Sequence, residues 1–235
     1  PQPDHAVLVS PSRRNTRAKQ EAPMKLYYFE TANSRKACAV ARHLDAPVDF
    51  VRVDLAKGEH KSPAFLAINP NGKVPALEDG DLRLWESMAI MCHLADKAGS
   101  SLWPKDARQI DVIRWLSWDA THFSRHAGTL LFQRVIKPRF GLGDPDAAAI
   151  DEAEGFFGQF AGVLDDHLKG QHLKGREYLV GDAPTVADFA VGAFLPDAQA
   201  AKLPLEAFSE IRRWYAKVEQ LPGWREPFPP AASAA

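Results

Sequence analysis

The chain has 235 residues, 46% hydrophobic and 25% charged, with a formal net charge of -1 and a pI near 6.8. That is the balance of a globular protein with material for one large domain or two small ones. It carries no electrostatic footprint for nucleic acid or an anionic membrane, and no window approaches the ~20 apolar residues of a membrane span.

Residues 1–23, PQPDHAVLVSPSRRNTRAKQEAP, hold Pro, Ser and basic residues without periodicity. They lack the apolar core of roughly 7–15 residues that marks a secretory signal, and they read as a flexible extension. KLYYF (25–29) then reads as a strand. From Ser34 to Leu44, Ala37, Val40, Ala41 and Leu44 recur at helical spacing, with Ser34 as the N-cap. VDFVRVD (48–54) is a second strand, and SPAFLAIN (62–69) is a short helix with proline in its first turn. KVPALEDGDLRLW is a hairpin turning at Asp79-Gly80. ESMAIMCHLADKAG follows as a helix, closed by Gly99. The order βαβ–α–ββα defines a compact α/β domain over 24–98.

GSSLWPKD (99–106) reads as a linker, and only helical patterns follow it. RQIDVIRWLSWDATHFSRHAGTLLFQRVI is long and amphipathic, and KPRFGLGDPD is expected to break it. Residues 146–169 form the next helix, and KGQHLKGREYLVGD is loop. TVADFAVGAFL carries a capping pair, Thr185 and Asp188: a hydroxyl for an exposed backbone N–H and a carboxylate reaching back. LEAFSEIRRWYAKVEQL is the last helix, stopped by Pro222-Gly223. The expected layout is an all-helical domain over 107–228 and a flexible tail over 229–235. Cys38 and Cys92 stand far apart in apolar helical contexts, so they read as reduced thiols and point to the cytoplasm.

Four short stretches carry candidate chemistry. ETANSRKA (30–37) joins the first strand to the first helix and offers the hydroxyls of Thr31 and Ser34 and the amide of Asn33, with no thiol. In NPNGKVPAL, Pro75 lies inside an apparent strand, where it cannot donate a ladder hydrogen bond. It is either an edge-strand proline or a cis-proline that exposes Val74 to pair with an extended ligand. In WESMAI, Glu86 and Ser87 stand where a strand meets a helix. They are either a simple helix cap, or a site holding a carboxylate at the helix N-terminus with an ammonium on Glu86. In GEHK, His60 and Lys61 are either solvated charge or a second carboxylate site.

Together these stretches suit one extended, peptide-like ligand with an amino-acid head and a distal carboxylate. Glutathione fits, with its thiol near the opening loop. A free thiol with a pKa of about 8.5 is only about 3% thiolate at pH 7. A hydrogen bond donated to the charged sulfur contributes roughly 1.5–3 kcal/mol, which lowers that pKa by about one to two units. A threonine therefore suffices where no protein thiol is present, because the substrate brings the nucleophile.

With these residues in view, the chain resembles the cytosolic glutathione transferases from residue 24 to about 228. GEHKSPAFLAINPNGKVPALEDGDLRLWESMAI is similar to the glutathione-site half of the phi-class enzymes, LVGDAPTVADF to the family's N-capping motif, and WYAKVEQLPGW to its usual final helix. The resemblance implies a thioredoxin-like α/β domain plus an all-α domain, usually as a homodimer. It implies that His60, Lys61 and Lys73 bind the glycyl carboxylate. By the same resemblance Val74 pairs by its backbone, Pro75 is the cis-proline, and Glu86 and Ser87 hold the γ-glutamyl head. Phi-class enzymes carry serine where Thr31 stands, and TANS also resembles bacterial relatives that contact sulfur through threonine and asparagine and reduce disulfides.

The expected reaction is conjugation of glutathione to small hydrophobic electrophiles. Glutathione-dependent disulfide or peroxide reduction, and a non-catalytic interaction protein of this fold, are the alternatives. Candidates for the electrophile site are Trp118, His122, Phe123 and His126 on the long helix. No metal is expected: the histidines show no ligand spacing with cysteines, and HFSRH lacks the carboxylate base of a zinc-hydrolase motif.

Overall fold

The computed structural model describes residues 23–230. The expected extension, apart from Pro23, and residues 231–235 of the tail lie outside that range. Strand β1 (Met24–Tyr28) is followed by α1 (Ala32–His43), β2 (Val48–Arg52), the short α2 (Pro63–Leu66), the hairpin β3 (Ala76–Asp79) and β4 (Leu82–Trp85), and α3 (Ser87–Lys97). The sheet order is β2-β1-β3-β4, with β1 parallel to β2 and antiparallel to β3. Parallel pairing of β1 and β2 requires the crossover that α1 supplies. This is the expected α/β unit.

The period of α1 is less one-sided than its sequence suggests. Ala37, Cys38, Ala39, Val40 and Ala41 are all buried. Small side chains let the helix be covered on several faces at once, by α3 and by elements of the helical half. The expected cap is corrected: Thr31, not Ser34, is the N-cap, and its hydroxyl accepts from the Ser34 N–H. Ser34 lies one turn inside the helix and is fully buried. Pro75 precedes β3 rather than lying within it, and the Val74–Pro75 peptide is cis.

The helical half begins with a nearly continuous rod: α4 (Arg108–Trp118), a π-helical turn Asp119–Phe123, α5 (Ser124–Leu131), a second π turn Phe132–Ile136, and α6 (Lys137–Phe140). The break expected within KPRFGLGDPD comes at Gly141, whose φ of 62° lies in the left-handed region glycine tolerates. Pro138 fits because it falls in the first turn of α6, where its missing N–H costs little. Then come α7 (Ala147–His172), α8 (Val186–Val191) with a 3₁₀ extension Gly192–Asp197, α9 (Ala198–Ala201) and α10 (Ser209–Val218).

The capping pair before α8 forms as expected. Asp188 is fully buried and accepts from Thr185 N–H at 2.8 Å, Leu179 N–H at 3.0 Å, Thr185 Oγ1 at 3.1 Å and Trp214 Nε1 at 2.9 Å. Burial pushes its carboxyl up in pKa, and these donors oppose the shift. One carboxylate thus ties the loop before α8 to α10.

The two halves share one core, in which Leu94 and Met91 of α3 and Val112 of α4 join Val186 and Phe189 of α8. The C-terminal segment straps α1: Arg35 donates to the Trp224 carbonyl at 2.8 Å, and Phe228 stacks on Tyr28 at 5.6 Å.

Candidate functional site

A cleft of about 410 Å³ opens between the two halves. Its α/β side is made by Asn33 of α1, the loop carrying Asn69, Asn71, Lys73, Val74 and Pro75, and Glu86, Ser87 and Met88 at the start of α3. Its helical side is made by Ala120, Ser124, Arg125 and Phe194, and Lys36 reaches it from α1. Six of the sequence candidates, Asn33, Lys73, Val74, Pro75, Glu86 and Ser87, therefore converge on one cavity.

Glu86 adopts φ 70°, ψ 115°, a conformation a non-glycine residue adopts only when its surroundings impose it. It sits at the cap position of α3 but makes no side-chain cap. Ser87 is the first helical residue rather than the cap, and its hydroxyl has no partner among the described residues. The simple capping reading of this pair is thus set aside. What remains is a carboxylate and an uncommitted hydroxyl at a helix N-terminus, where partial positive charge gathers.

The loop before β3 is pinned by a residue the sequence reading passed over. Asn69 is buried; its Nδ2 donates to the Lys73 carbonyl at 2.6 Å, and its Oδ1 accepts from Asn71 N–H at 3.0 Å. The Asn-Pro-Asn-Gly run was the available signal, since such side chains build turns on their own backbone. Gly72, at φ 56°, is packed so closely that a Cβ would lie 2.9 Å from Lys61 Nζ and 3.0 Å from the His60 carbonyl oxygen. The His60–Lys61 turn therefore abuts the loop that bears Lys73, although neither residue lines the cleft itself. Lys61 Nζ donates to the Gly72 carbonyl at 3.4 Å, and His60 Nδ1 is buried without a hydrogen-bond partner among the described residues.

In the opening loop, the Thr31 hydroxyl donates to Ser34 Oγ at 3.2 Å while accepting from the Ser34 N–H at 3.3 Å. Neither Thr31 nor Ser34 lines the cleft. Asn33 does, and its side-chain amide has no hydrogen bond among the described residues.

The electrophile-site candidates are placed differently from expectation. Phe123 is fully buried, packed on Phe157 of α7 at 4.9 Å. His122 stacks on Phe160 at 4.5 Å, His126 on Phe156 at 5.0 Å, and Trp118 meets Phe160 edge-on at 6.3 Å. All four form an aromatic ladder against α7, because they share one helix face and the cleft lies on another. Ala120, Ser124 and Arg125 take the cleft-facing positions. Small and polar residues at those positions gave no aromatic signal to follow.

Beneath the cleft lies a buried ion pair. Lys36 Nζ is 2.8 Å from Asp119 Oδ2 and donates to Ser124 Oγ at 3.3 Å, while Ser124 Oγ donates to Asp119 Oδ1 at 2.7 Å. The side chains of Lys36 and Asp119 are 2% and 0% exposed. The pair joins α1, one turn after Asn33, to the π turn of the helical half.

Comparison with known proteins decides the family. Residues 22–96 match the model for "Glutathione S-transferase, N-terminal domain" and residues 147–217 that for "Glutathione S-transferase, C-terminal domain". Glutathione S-transferase 3 of Zea mays is 36% identical over 229 residues, covering 91% of this chain and 100% of its own. The chain belongs to the glutathione S-transferase family. A probable glutathione S-transferase of Oryza sativa subsp. japonica, GSTF2, is 33% identical over 86% of this chain and 94% of its own, so this transferase is phi-like. A crystal structure of a glutathione transferase family member from Pseudomonas fluorescens, with two glutathione bound, superposes with a TM-score of 0.77 at 26% identity, covering 90% of this chain and 94% of that one. The thioredoxin-like α/β half and the helical half are the two parts of the family's fold.

Proposed function

We propose that this transferase binds glutathione along the α/β side of the cleft, activates its thiol, and conjugates it to small electrophiles entering from the helical side. The observation that carries this is the convergence of Asn33, Lys73, Val74, Pro75, Glu86 and Ser87 on one cavity. Glu86 takes the γ-glutamyl ammonium. Ser87 and the α3 N-terminus take the adjacent carboxylate. Val74 pairs by its backbone with the cysteinyl part, its orientation set by Pro75. Lys73 takes the glycyl carboxylate, with Lys61 and His60 behind it.

At the sulfur we assign the main donor to Asn33, with Thr31 assisting. The Thr31 proton is already directed at Ser34, so turning it to sulfur gives up a bond worth about 1 kcal/mol. The Asn33 amide gives up no such bond. This opening loop, like those of the bacterial disulfide-reducing relatives it resembles, also supports a second reading. The Pseudomonas fluorescens neighbour holds two glutathione molecules, as glutathione-dependent disulfide reduction would need. A cytoplasmic homodimer is part of the proposal, resting on family and on reduced Cys38 and Cys92; sedimentation of the purified protein tests the dimer.

The test of activation is ultraviolet titration of bound glutathione thiolate in wild type, Asn33→Ala and Thr31→Ala. The expected result is a wild-type thiol pKa about one to two units below that of free glutathione, with the larger reversion in Asn33→Ala. An unshifted pKa in the wild type would mean that the cleft holds glutathione without activating it. A mixed-disulfide substrate and an aryl halide, assayed side by side, separate reduction from conjugation.

A further inference from the structure

We infer that the second substrate of this cleft carries an anionic group, a carboxylate in the simplest form, on an apolar body, and that Arg125 recognises it. This names the electrophile class for the glutathione reading above and rests on that reading.

Three cations line the cleft, Lys36, Lys73 and Arg125, against one carboxylate, Glu86. Lys36 is neutralised by Asp119 at 2.8 Å. Lys73 and Glu86 are engaged by the two ends of glutathione in the proposed pose. Arg125 is left over. Its guanidinium has no ion pair, hydrogen bond or aromatic partner among the described residues, and its planar fork matches a carboxylate through two parallel N–H bonds.

The base of Arg125 is rigid. The preceding residue, Ser124, is fixed to Asp119 twice, by its backbone N–H across the π turn and by its hydroxyl at 2.7 Å. The same cleft is also lined by Ala120 and Phe194, apolar side chains suited to a small apolar body. Bound glutathione thiolate carries more negative than positive charge. An anionic second substrate would be repelled by it unless the helical side supplied a cation, and Arg125 is the cation placed to do so. The expected "small hydrophobic electrophile" is thereby narrowed to one with a charged end.

Calorimetry with two product-like ligands tests this without requiring turnover: S-benzylglutathione and S-(4-carboxybenzyl)glutathione, with glutathione alone as the reference. The wild type is expected to bind the carboxylated conjugate about tenfold more tightly, with the preference shrinking between about 0.05 and 0.5 M salt. Arg125→Ala should erase the preference, Arg125→Glu should reverse it, and Arg125→Lys should keep part of it. A structural role for Arg125 would weaken both conjugates alike and leave their ratio unchanged. Equal binding of the two conjugates by a wild type that binds glutathione overturns this inference alone, as does a preference that survives in Arg125→Ala. Failure to bind glutathione overturns the glutathione reading and this inference with it.

Discussion

Replacing Lys36 by methionine removes one member of the buried pair and keeps most of its volume. At 2.8 Å the gross attraction is about 6 kcal/mol with an effective dielectric constant of 20, largely offset by the cost of desolvating both ions. The net value of the pair is therefore small, but the cost of breaking it is not. The Asp119 carboxylate, with no solvent exposure, would keep the Ser124 hydroxyl as its one donor among the described residues. A buried charge stranded in this way costs about 3–5 kcal/mol, which lowers Tm by about 6–20 °C in a chain of this size. Asp119→Leu should cost a similar amount by stranding Lys36. The double variant Lys36→Met/Asp119→Leu should be more stable than either single one, with a residual cost of about 1 kcal/mol for the Ser124 hydroxyl. Urea unfolding followed by tryptophan fluorescence and circular dichroism measures all four corners of the cycle. Single variants within 1 kcal/mol of wild type, or additive effects in the double, would refute the claim that the two charges depend on each other.

Asp188→Ala removes the acceptor for four donors in a fully buried setting and should destabilise by at least about 4 kcal/mol, read as a large fall in urea midpoint or as insoluble expression. Gly223→Ala should cost about 2–4 kcal/mol: φ is +74° there and a Cβ would stand 2.3 Å from Arg42 Cβ, so an unchanged Tm would contradict the packing of the C-terminal strap on α1. His167 is held below the ordinary histidine range, chiefly by burial, although the Leu179 carbonyl opposes the shift. Its unfolded form binds a proton first, so its stabilising contribution is full above about pH 6.5 and falls as pH drops below that value. His167→Gln should therefore lose less Tm than wild type between about pH 7.5 and 5.5, and equal losses would assign the acid sensitivity elsewhere.

Much of the fold and of the α/β side of the cleft was legible because its signals are local. Glu86 and Ser87 lie at a strand-to-helix junction, Pro75 breaks a strand pattern, and Thr185 with Asp188 forms a cap within four residues. In each case neighbours in sequence already determine which backbone groups lack partners. The strand and helix order followed from periodicity, which likewise needs no distant partner. Three things needed the tertiary structure. Thr31 displaced Ser34 as the cap because burial of the Ser34 side chain within α1 depends on what packs over that helix. The aromatic candidates Trp118, His122, Phe123 and His126 faced α7 because periodicity shows that a face is apolar but not which element covers it. The Lys36–Asp119 pair is 83 residues apart in sequence and exists only because the two halves fold against each other. The sequence determined which chemical groups the loops around the cleft carry. The packing of one half on the other decided which side chains face it, since solvent exclusion and charge pairing depend on distance in space.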